Sequence, residues 1–503
     1  MLVVTNHPAD GDALAQLREP RSDIVLERAD GPDRFVAAAG PFSRYERTLT
    51  AQADGSVEER IDCRLAVPLW WIAFWVPVRH VLINRPAPGT RPFWAPPQVL
   101  DARAATVLGL LASLAVVEGY VGTLLIQTVT FAADDFGANR ASQGSALAVA
   151  RGGVVIAAVL AALADRLGRR RMLAIATTAG CLAAAVGALA PTIGALAATQ
   201  LVATGCVGAT ALLIGITSAE EMPAGARAYG ISLITMAGGL GAGMCVWVLP
   251  VADVDVQAWR LIYLVPLLGL GVVVAVIRRL PESRRFERPH DDVDLTGHGR
   301  RLVLLASTAF LGAIFIAPAF QLQNDFLREQ QGFSAARISL FTVVTSTPAV
   351  IGIVLGGRLA DVRGRRKVGA IGLVGATTAV VASYASTGWP LWAWTTLAGI
   401  LLGMLVPALG VYRPELFPTS LRGKASGIIE AVALAGSAIG LVLVGHLVDR
   451  WDDYTVPVAL VAIGPVVAAV IVLVAFPETA RRELEDLNPE DAAPRSETPV
   501  GGR

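Results

Sequence analysis

From Asp101 onward, long apolar runs alternate with short polar turns, twelve times over. Each run has about the twenty residues that a helix needs to cross a bilayer. The pattern predicts spans at 104–128, 142–164, 172–190, 194–218, 229–250 and 259–279, and then at 302–324, 336–357, 368–386, 391–412, 425–447 and 455–476. The first hundred residues read differently. "RYERTLTAQADGSVEERIDCRL" (44–65) alternates residue types around an Asp-Gly turn and predicts a β-hairpin. "LAVPLWWIAFWVPV" (65–78) has fourteen residues, is broken by Pro68 and Pro77, and is rich in Trp. It is too short to span and suits the membrane surface. "RPAPGTRPFWAPP" (85–97) is a Pro-rich linker, and 488–503 has the composition of a disordered tail. The expected organisation is an N-terminal extension and linker (1–100), a six-helix bundle (101–279), a central loop (280–300), a second six-helix bundle (301–480) and a tail (481–503).

Composition agrees with this pattern. Of 503 residues, 54% are hydrophobic and 17% charged, and mean hydropathy is +0.57. Soluble domains carry about 25% charged residues. The expected fold class is therefore an all-α polytopic membrane protein of twelve transmembrane helices. A net charge of +1 without a basic domain excludes a nucleic-acid partner. Four scattered cysteines and five scattered histidines offer no metal-ligand spacing. HExxH, GxSxG and Walker patterns are absent, so no enzyme, cofactor or metal is expected.

Charge placement sets orientation. The turns "DRLGRRR" (165–171) and "DVRGRRK" (361–367) are basic, as is the central loop with Arg284, Arg285, Arg288 and Arg300. On the opposite side, "ADDFGANR" (133–140) has one basic residue and "APTIG" (190–194) has none. The positive-inside rule puts both termini in the cytoplasm, with the chain in the plasma (inner) membrane. The first forty residues carry no signal peptide, which fits an N-terminus that is not exported.

Three signatures occur twice. Asp165-x-x-Gly168-Arg169-Arg170 returns 196 residues later as Asp361-x-x-Gly364-Arg365-Arg366. Glu220-x-x-Pro223-x-x-x-Arg227 returns after 195 as Glu415-x-x-Pro418-x-x-x-Arg422. Pro281-Glu282-Ser283 returns after 196 as Pro477-Glu478-Thr479. One spacing for three motifs indicates two halves of the same design. An acid at a helix end beside a basic turn can make charge-assisted hydrogen bonds across a bundle interface. Asp165 with Arg169 and Arg170, and Asp361 with Arg365 and Arg366, are expected to latch the halves. Glu220 with Arg227 and Glu415 with Arg422 would join them. The competing reading, that these residues only set topology, stays open at this level. Small-residue pairs also recur, at Gly239/Gly243, Gly352/Gly356, Gly399/Gly403 and Gly436/Gly440. They suit tight packing within each bundle of a monomer better than a dimer interface.

On these motifs, residues 101–480 resemble the major facilitator superfamily. The family pattern Gly-x-Leu-Ala-Asp-x-x-Gly-Arg-Arg is complete as "GRLADVRGRR" (357–366); the first copy, "AALADRLGRR" (161–170), has Ala161 at the Gly position. The paired Glu-x-x-Pro-x-x-x-Arg turns are similar to those of the sugar-porter and metabolite:proton-symporter branches. Span five lacks the Gly-Pro arrangement of the drug/proton antiporters. The resemblance implies that the charged turns steady the outward-facing state and part for inward opening. It also implies a small-molecule substrate between the halves, lined by spans one, four, seven and ten. Tyr120, Thr123 and Gln127 follow helical spacing on span one; Gln200 lies on span four, Gln321, Gln323 and Asn324 on span seven, and Tyr412 ends span ten. Gln200 falls where many relatives carry an Arg.

Ionisable residues inside spans are functional candidates by default. Glu118 of span one and Arg151 of span two both lie roughly 20 Å from the basic end at 1.5 Å rise per residue. Equal depth on consecutive helices predicts a Glu118–Arg151 pair, either a fixed brace or a proton-sensitive switch. Glu430 lies about 9 Å into span eleven and can serve either the charged latch or the transport path. The leading expectation is a proton-coupled secondary transporter of a small polar or anionic metabolite. A proton-driven exporter of hydrophobic compounds and a non-transporting sensor are the alternatives.

Overall fold

The computed structural model describes residues 1–8, 11–53, 55–87, 89–138, 140–286 and 295–491. Among these, eleven helices are long and apolar enough to cross a membrane. The third span, Arg169–Gly187, completes the twelve and opens with three arginines. Span one, Ala102–Phe136, exceeds its predicted range because its ends are capped outside the apolar run. Asp101 accepts the Ala104 N–H at 2.6 Å, and Gly137 closes the helix in the left-handed region at φ 61°.

Spans four, five, seven, nine, ten and eleven are helical over Ile193–Glu221, Arg227–Val248, Gly299–Gln321, Arg365–Tyr384, Gly388–Gly410 and Arg422–Trp451. The other spans are interrupted. Span two breaks at Gly152 and Gly153, between Arg140–Arg151 and Val154–Leu167. Span eight breaks at Thr347–Pro348 before Ala349–Arg363, where proline removes a helix hydrogen bond. Span six is Trp259–Arg279 with a tighter turn around Pro266, and span twelve is Thr455–Ala475. Close crossings use glycine, though not always the expected pairs. Gly352 and Gly356 meet Ile400 and Met404 of span ten, and Gly436 and Gly440 meet Phe310 and Ile314 of span seven. Gly239 and Gly243 pack on nothing within 4 Å; Gly119, Gly238 and Gly241 instead make the tight crossing of spans one and five.

The N-terminal region holds more structure than one hairpin. The predicted hairpin is present as β4 (Phe42–Ala51) and β5 (Ser56–Leu65). With β1 (Leu2–Pro8), β2 (Leu26–Ala29) and β3 (Arg34–Ala39) it forms an antiparallel sheet in the order β1-β5-β4-β3-β2. Helix α1 (Gly11–Arg18) buries Leu17 with Phe35, Leu49 and Val57. Helix α2 (Trp71–Ile83) covers part of the sheet with Val78, Val81 and Leu82. Arg21 fixes the end of α2 by donating to the Val81 and Leu82 carbonyls. In β2 a charge sits at a core position: buried Glu27 pairs at 2.7 Å with fully buried Arg47 of β4, which stacks on Phe35 of β3.

This domain is fastened to both membrane bundles. Trp70 Nε1 donates to Ser113 Oγ of span one at 2.9 Å, and Tyr229 of span five donates to the Trp94 carbonyl at 2.8 Å. Arg358 of span eight donates to the Phe93 carbonyl at 2.6 Å.

Asp101 ties the linker to span one and to Arg284 at 2.9 Å. Burial pushes its carboxyl up, but the Ala104 N–H and the Arg284 guanidinium outweigh burial and hold it below the usual carboxylate range. A depressed native pKa contributes stability above the unfolded value and loses it as pH falls below about 4. Asp101→Asn should therefore flatten the acid limb of the stability–pH curve, read by thermal unfolding between pH 6 and pH 3. An unchanged acid limb would refute the assignment.

Candidate functional site

At the end of the bundle that carries the Gly-Arg-Arg turns, the halves are joined by two symmetry-related charge clusters. Asp165 ends span two and accepts the Gly423 and Lys424 N–H groups, both at 3.0 Å. These are the second and third N–H groups of span eleven, whose cap position is Leu421, with no side-chain acceptor. Asp361 ends span eight and accepts the Ala228 and Tyr229 N–H groups at 3.2 and 3.0 Å. They begin span five, whose cap position is Ala226. Each aspartate thus caps a helix of the opposite half, where unpaired N–H groups and the helix dipole favour a carboxylate.

The arginines and glutamates repeat the exchange. Glu220 meets Arg169 of its own half at 3.4 Å and Arg422 of the other at 2.8 Å. Glu415 meets Arg365 of its own half and Arg227 of the other, the latter at 3.2 Å. All six side chains are buried. Arg169 also donates to the Thr419 carbonyl across the interface at 2.6 Å.

Two expected members stay within their own halves. Arg170 reaches the Ile277 carbonyl and Arg366 the Leu473 carbonyl. Glu430 is a third departure: it pairs with Arg413 of span ten at 2.6 Å, half-exposed and outside the cluster. Its position past the first turn of span eleven turns it toward span ten.

The repeated glycines and the Pro-Glu-Ser/Thr ends now have a physical reason. Glu282 accepts the Arg169 N–H at 2.8 Å, and Glu478 accepts the Arg365 N–H at 2.9 Å. Gly168 and Gly364 have φ of 95° and 102°, and a Cβ there would lie 2.7 and 2.6 Å from those carboxylates. Glycine alone meets both demands. Gly364→Ala should cost roughly 1–3 kcal/mol, seen as a lower unfolding temperature for correctly inserted protein; an unshifted transition would contradict the geometry.

The missing family glycine at Ala161 is compensated across the interface. A Cβ on Gly423 would lie 1.9 Å from the Ala161 carbonyl oxygen. In the other crossing, Gly357 meets Ala228 and Ser232. Each crossing has one glycine and one alanine, on opposite partners.

Sequence reading missed Asp491. The tail segment beyond Asn488 was expected to be disordered, yet Asp491 is buried and accepts from Arg422 at 2.8 Å and from the Thr419 N–H at 2.8 Å. Asn488 is buried too and donates to the Glu415 carbonyl. Residues 492–503, the rest of that expectation, lie outside the described residues.

Within the membrane, the predicted Glu118–Arg151 pair does not form. Arg151 is exposed at the helix break before Gly152. Glu118 is partly buried with its carboxylate toward span five, where a Cβ on Gly238 would lie 3.4 Å from Oε2. Depth matched the two residues, but azimuth separated them. Thr123 and Gln127 are partly buried, about 140° and 180° around span one from Glu118. Tyr120 is buried and donates to the Ile262 carbonyl inside the first bundle. Gln200 is fully buried, its amide beside Gly187 of span three, without a hydrogen-bond partner. Tyr412 is fully buried in the second bundle and donates to the Pro477 carbonyl. These three face bundle cores because their positions lie on the inward arcs of their helices.

Gln321 and Asn324 are exposed at the far end of span seven. Between them in sequence, Gln323 lines a cavity of about 290 Å³ with Thr345, Ser346 and Thr395. None of those last three could be singled out from the many hydroxyl residues in the spans.

A family model described as the Major Facilitator Superfamily matches residues 110–321 and 302–500. The chain belongs to this superfamily. As a superfamily transporter it is 24% identical over 440 residues to the Glucose transporter GlcP of Staphylococcus epidermidis, covering 76% of this chain and 96% of GlcP. It is 30% identical over 165 residues to a putative metabolite transport protein of Haemophilus influenzae, a match spanning 32% of this chain and 40% of that relative. Among solved structures, the proton:xylose symporter XylE aligns with a TM-score of 0.65 at 17% identity, covering 77% of this chain and 99% of XylE. FucP in the outward conformation aligns with a TM-score of 0.61 at 13% identity, covering 74% and 98%. At these identities the likeness establishes the fold.

Proposed function

We propose that this superfamily transporter is a proton-coupled secondary transporter that moves a small polar or anionic metabolite across the inner membrane by alternating access. The observation that carries the reading is the doubled, buried charge cluster joining the halves at the end of their interface that holds the Gly-Arg-Arg turns. The basic turns support a cytoplasmic placement of that end; on that reading both termini are cytoplasmic and the closed clusters belong to an outward-facing state. Inward opening requires Asp165 and Asp361 to release the helix ends they cap. Glu118, partly buried and without an ion-pair partner among the described residues, is the group that exchanges the proton. Gln323, Thr345, Ser346 and Thr395, which line one cavity, supply polar contacts for the substrate, and Thr123 and Gln127 of span one are further candidates. GlcP and XylE, named for glucose and xylose, support a polar solute.

Proteoliposome uptake under an imposed pH gradient tests the reading. Accumulation driven by external acid supports symport. Accumulation only under the opposite gradient would favour the exporter, and absence of flux the sensor.

A further inference from the structure

A cavity of about 420 Å³ lies between the N-terminal domain and the first bundle. Its volume falls within the ~300–1,000 Å³ range of ligand pockets. Val67 and Phe74 wall it on the domain side, Leu108 and Ala112 on span one, and Leu233 and Leu240 on span five. The polar groups at its wall are already engaged. Asp23 accepts the Ile24 N–H and pairs with Arg21, Trp70 donates to Ser113, and Tyr229 donates to the Trp94 carbonyl. A polar ligand would find little to bind, and an apolar cavity takes apolar occupants.

Its place in the membrane narrows the choice. Tyr229 marks the end tied to the linker, and Leu240 lies eleven residues further along the same helix. At 1.5 Å per residue that is roughly 16 Å, close to half of the ~30 Å hydrocarbon core. The cavity therefore runs the depth of one leaflet, and Leu240, 40% exposed, opens it toward the lipid-facing surface. At the other end α2 leaves Trp71, Ile72, Trp75 and Val76 exposed, beside Leu69. That apolar face, with Arg79 next to Trp75, has the make-up of a helix lying in the headgroup region.

We propose that this cavity holds one acyl chain of a membrane phospholipid, clamped between the N-terminal domain and spans one and five. Continuity with the bilayer surface selects a phospholipid over a soluble ligand, and the length selects a chain over a compact solute. The occupied site makes the domain a lipid-dependent collar on the spans one and five crossing.

The test uses the full chain, extracted in mild detergent and analysed by native mass spectrometry. One phospholipid should stay bound to the parent protein. Ala73→Trp, placed on exposed α2, and Ala237→Trp, on span five, should each reduce that occupancy at least tenfold. Ala73→Trp leaves the bundle untouched, so its result stands if Ala237→Trp fails to fold. Delipidated protein should regain thermal stability with 1-palmitoyl-2-oleoyl phosphatidylglycerol and less with palmitate. Unchanged occupancy in Ala73→Trp, or equal rescue by palmitate, would overturn the phospholipid assignment.

Discussion

Asp165→Asn should insert and fold normally yet transport at least tenfold more slowly. Asparagine keeps the shape but offers one acceptor oxygen, so it cannot hold both the Gly423 and Lys424 N–H groups that Asp165 now holds. One N–H at the start of span eleven is left unpaired, and the charge that opposes the helix dipole is gone. A hydrogen bond to a charged group contributes about 1.5–3 kcal/mol, and each 1.4 kcal/mol is tenfold in population. Loss of Asp165 also leaves Arg169 with Glu220 alone among its acidic partners, at 3.4 Å. The end closed by the charge clusters should open more often. A cysteine placed near the Ala161–Gly423 crossing should then react faster with a membrane-permeant thiol reagent than in the parent. Asp361→Asn should behave alike, since its bonds to Ala228 and Tyr229 are the symmetry counterparts. Full transport by correctly inserted Asp165→Asn protein would show that the motif sets topology only.

On the proposed gating role, the doubling lets the latch be both firm and reversible. Breaking a buried ion pair by removing one partner costs about 3–5 kcal/mol, because the other charge is stranded. In the intact clusters two of the four arginines have a glutamate of their own half to keep when the halves part: Arg169 has Glu220, and Arg365 has Glu415. Only Arg227 and Arg422 lose their cross-interface glutamates. Arg422 has Asp491, beyond span twelve of its own half, at 2.8 Å, whereas the bond from Arg227 to the Arg482 carbonyl at 2.8 Å crosses between the halves. On the proposed gating role, Asp491 gives Arg422 a substitute partner when its cross-interface glutamate leaves.

The twelve spans and the twofold repeat were legible because both rest on patterns that a chain must write into its sequence. A span needs an apolar run, and a helix-capping acid needs a fixed offset from its basic turn. What a residue faces was not legible. Tyr120 and Glu118 are two positions apart on one helix, about 200° around it at 3.6 residues per turn; one is buried in a core and the other is partly buried, toward span five. The depth argument for Glu118 and Arg151 carried no azimuth, and the Gly152–Gly153 break adds a rotation that no periodicity shows. Composition misled at Asp491, since a polar tail reads as unstructured until Arg422 is known to wait for it. The N-terminal sheet was half visible: the β4–β5 hairpin was marked by its Asp-Gly turn, whereas β2 carries buried Glu27 where alternation rules expect an apolar residue.

Glu118→Gln should abolish accumulation driven by a proton gradient while leaving solute exchange down its own gradient. The substitution preserves size and polarity beside Gly238 and removes only the ability to gain and lose a proton. Its effect on folding should be slight, because Glu118 has no hydrogen bond or ion pair among the described residues to break. Two readouts separate coupling from structure. In proteoliposomes loaded with unlabelled solute, counterflow should proceed at near the parental rate. Under external acid, the parent should concentrate solute inward and Glu118→Gln should only equilibrate it. Asp165→Asn differs in kind, since a loosened gate slows both counterflow and accumulation. Arg151→Gln is the informative partner. With no pair between the two residues, it should leave coupling in place and change affinity alone, most for an anionic solute. Full concentrative uptake by Glu118→Gln would move the proton site elsewhere, and loss of coupling in Arg151→Gln would restore the pair that the static geometry denies.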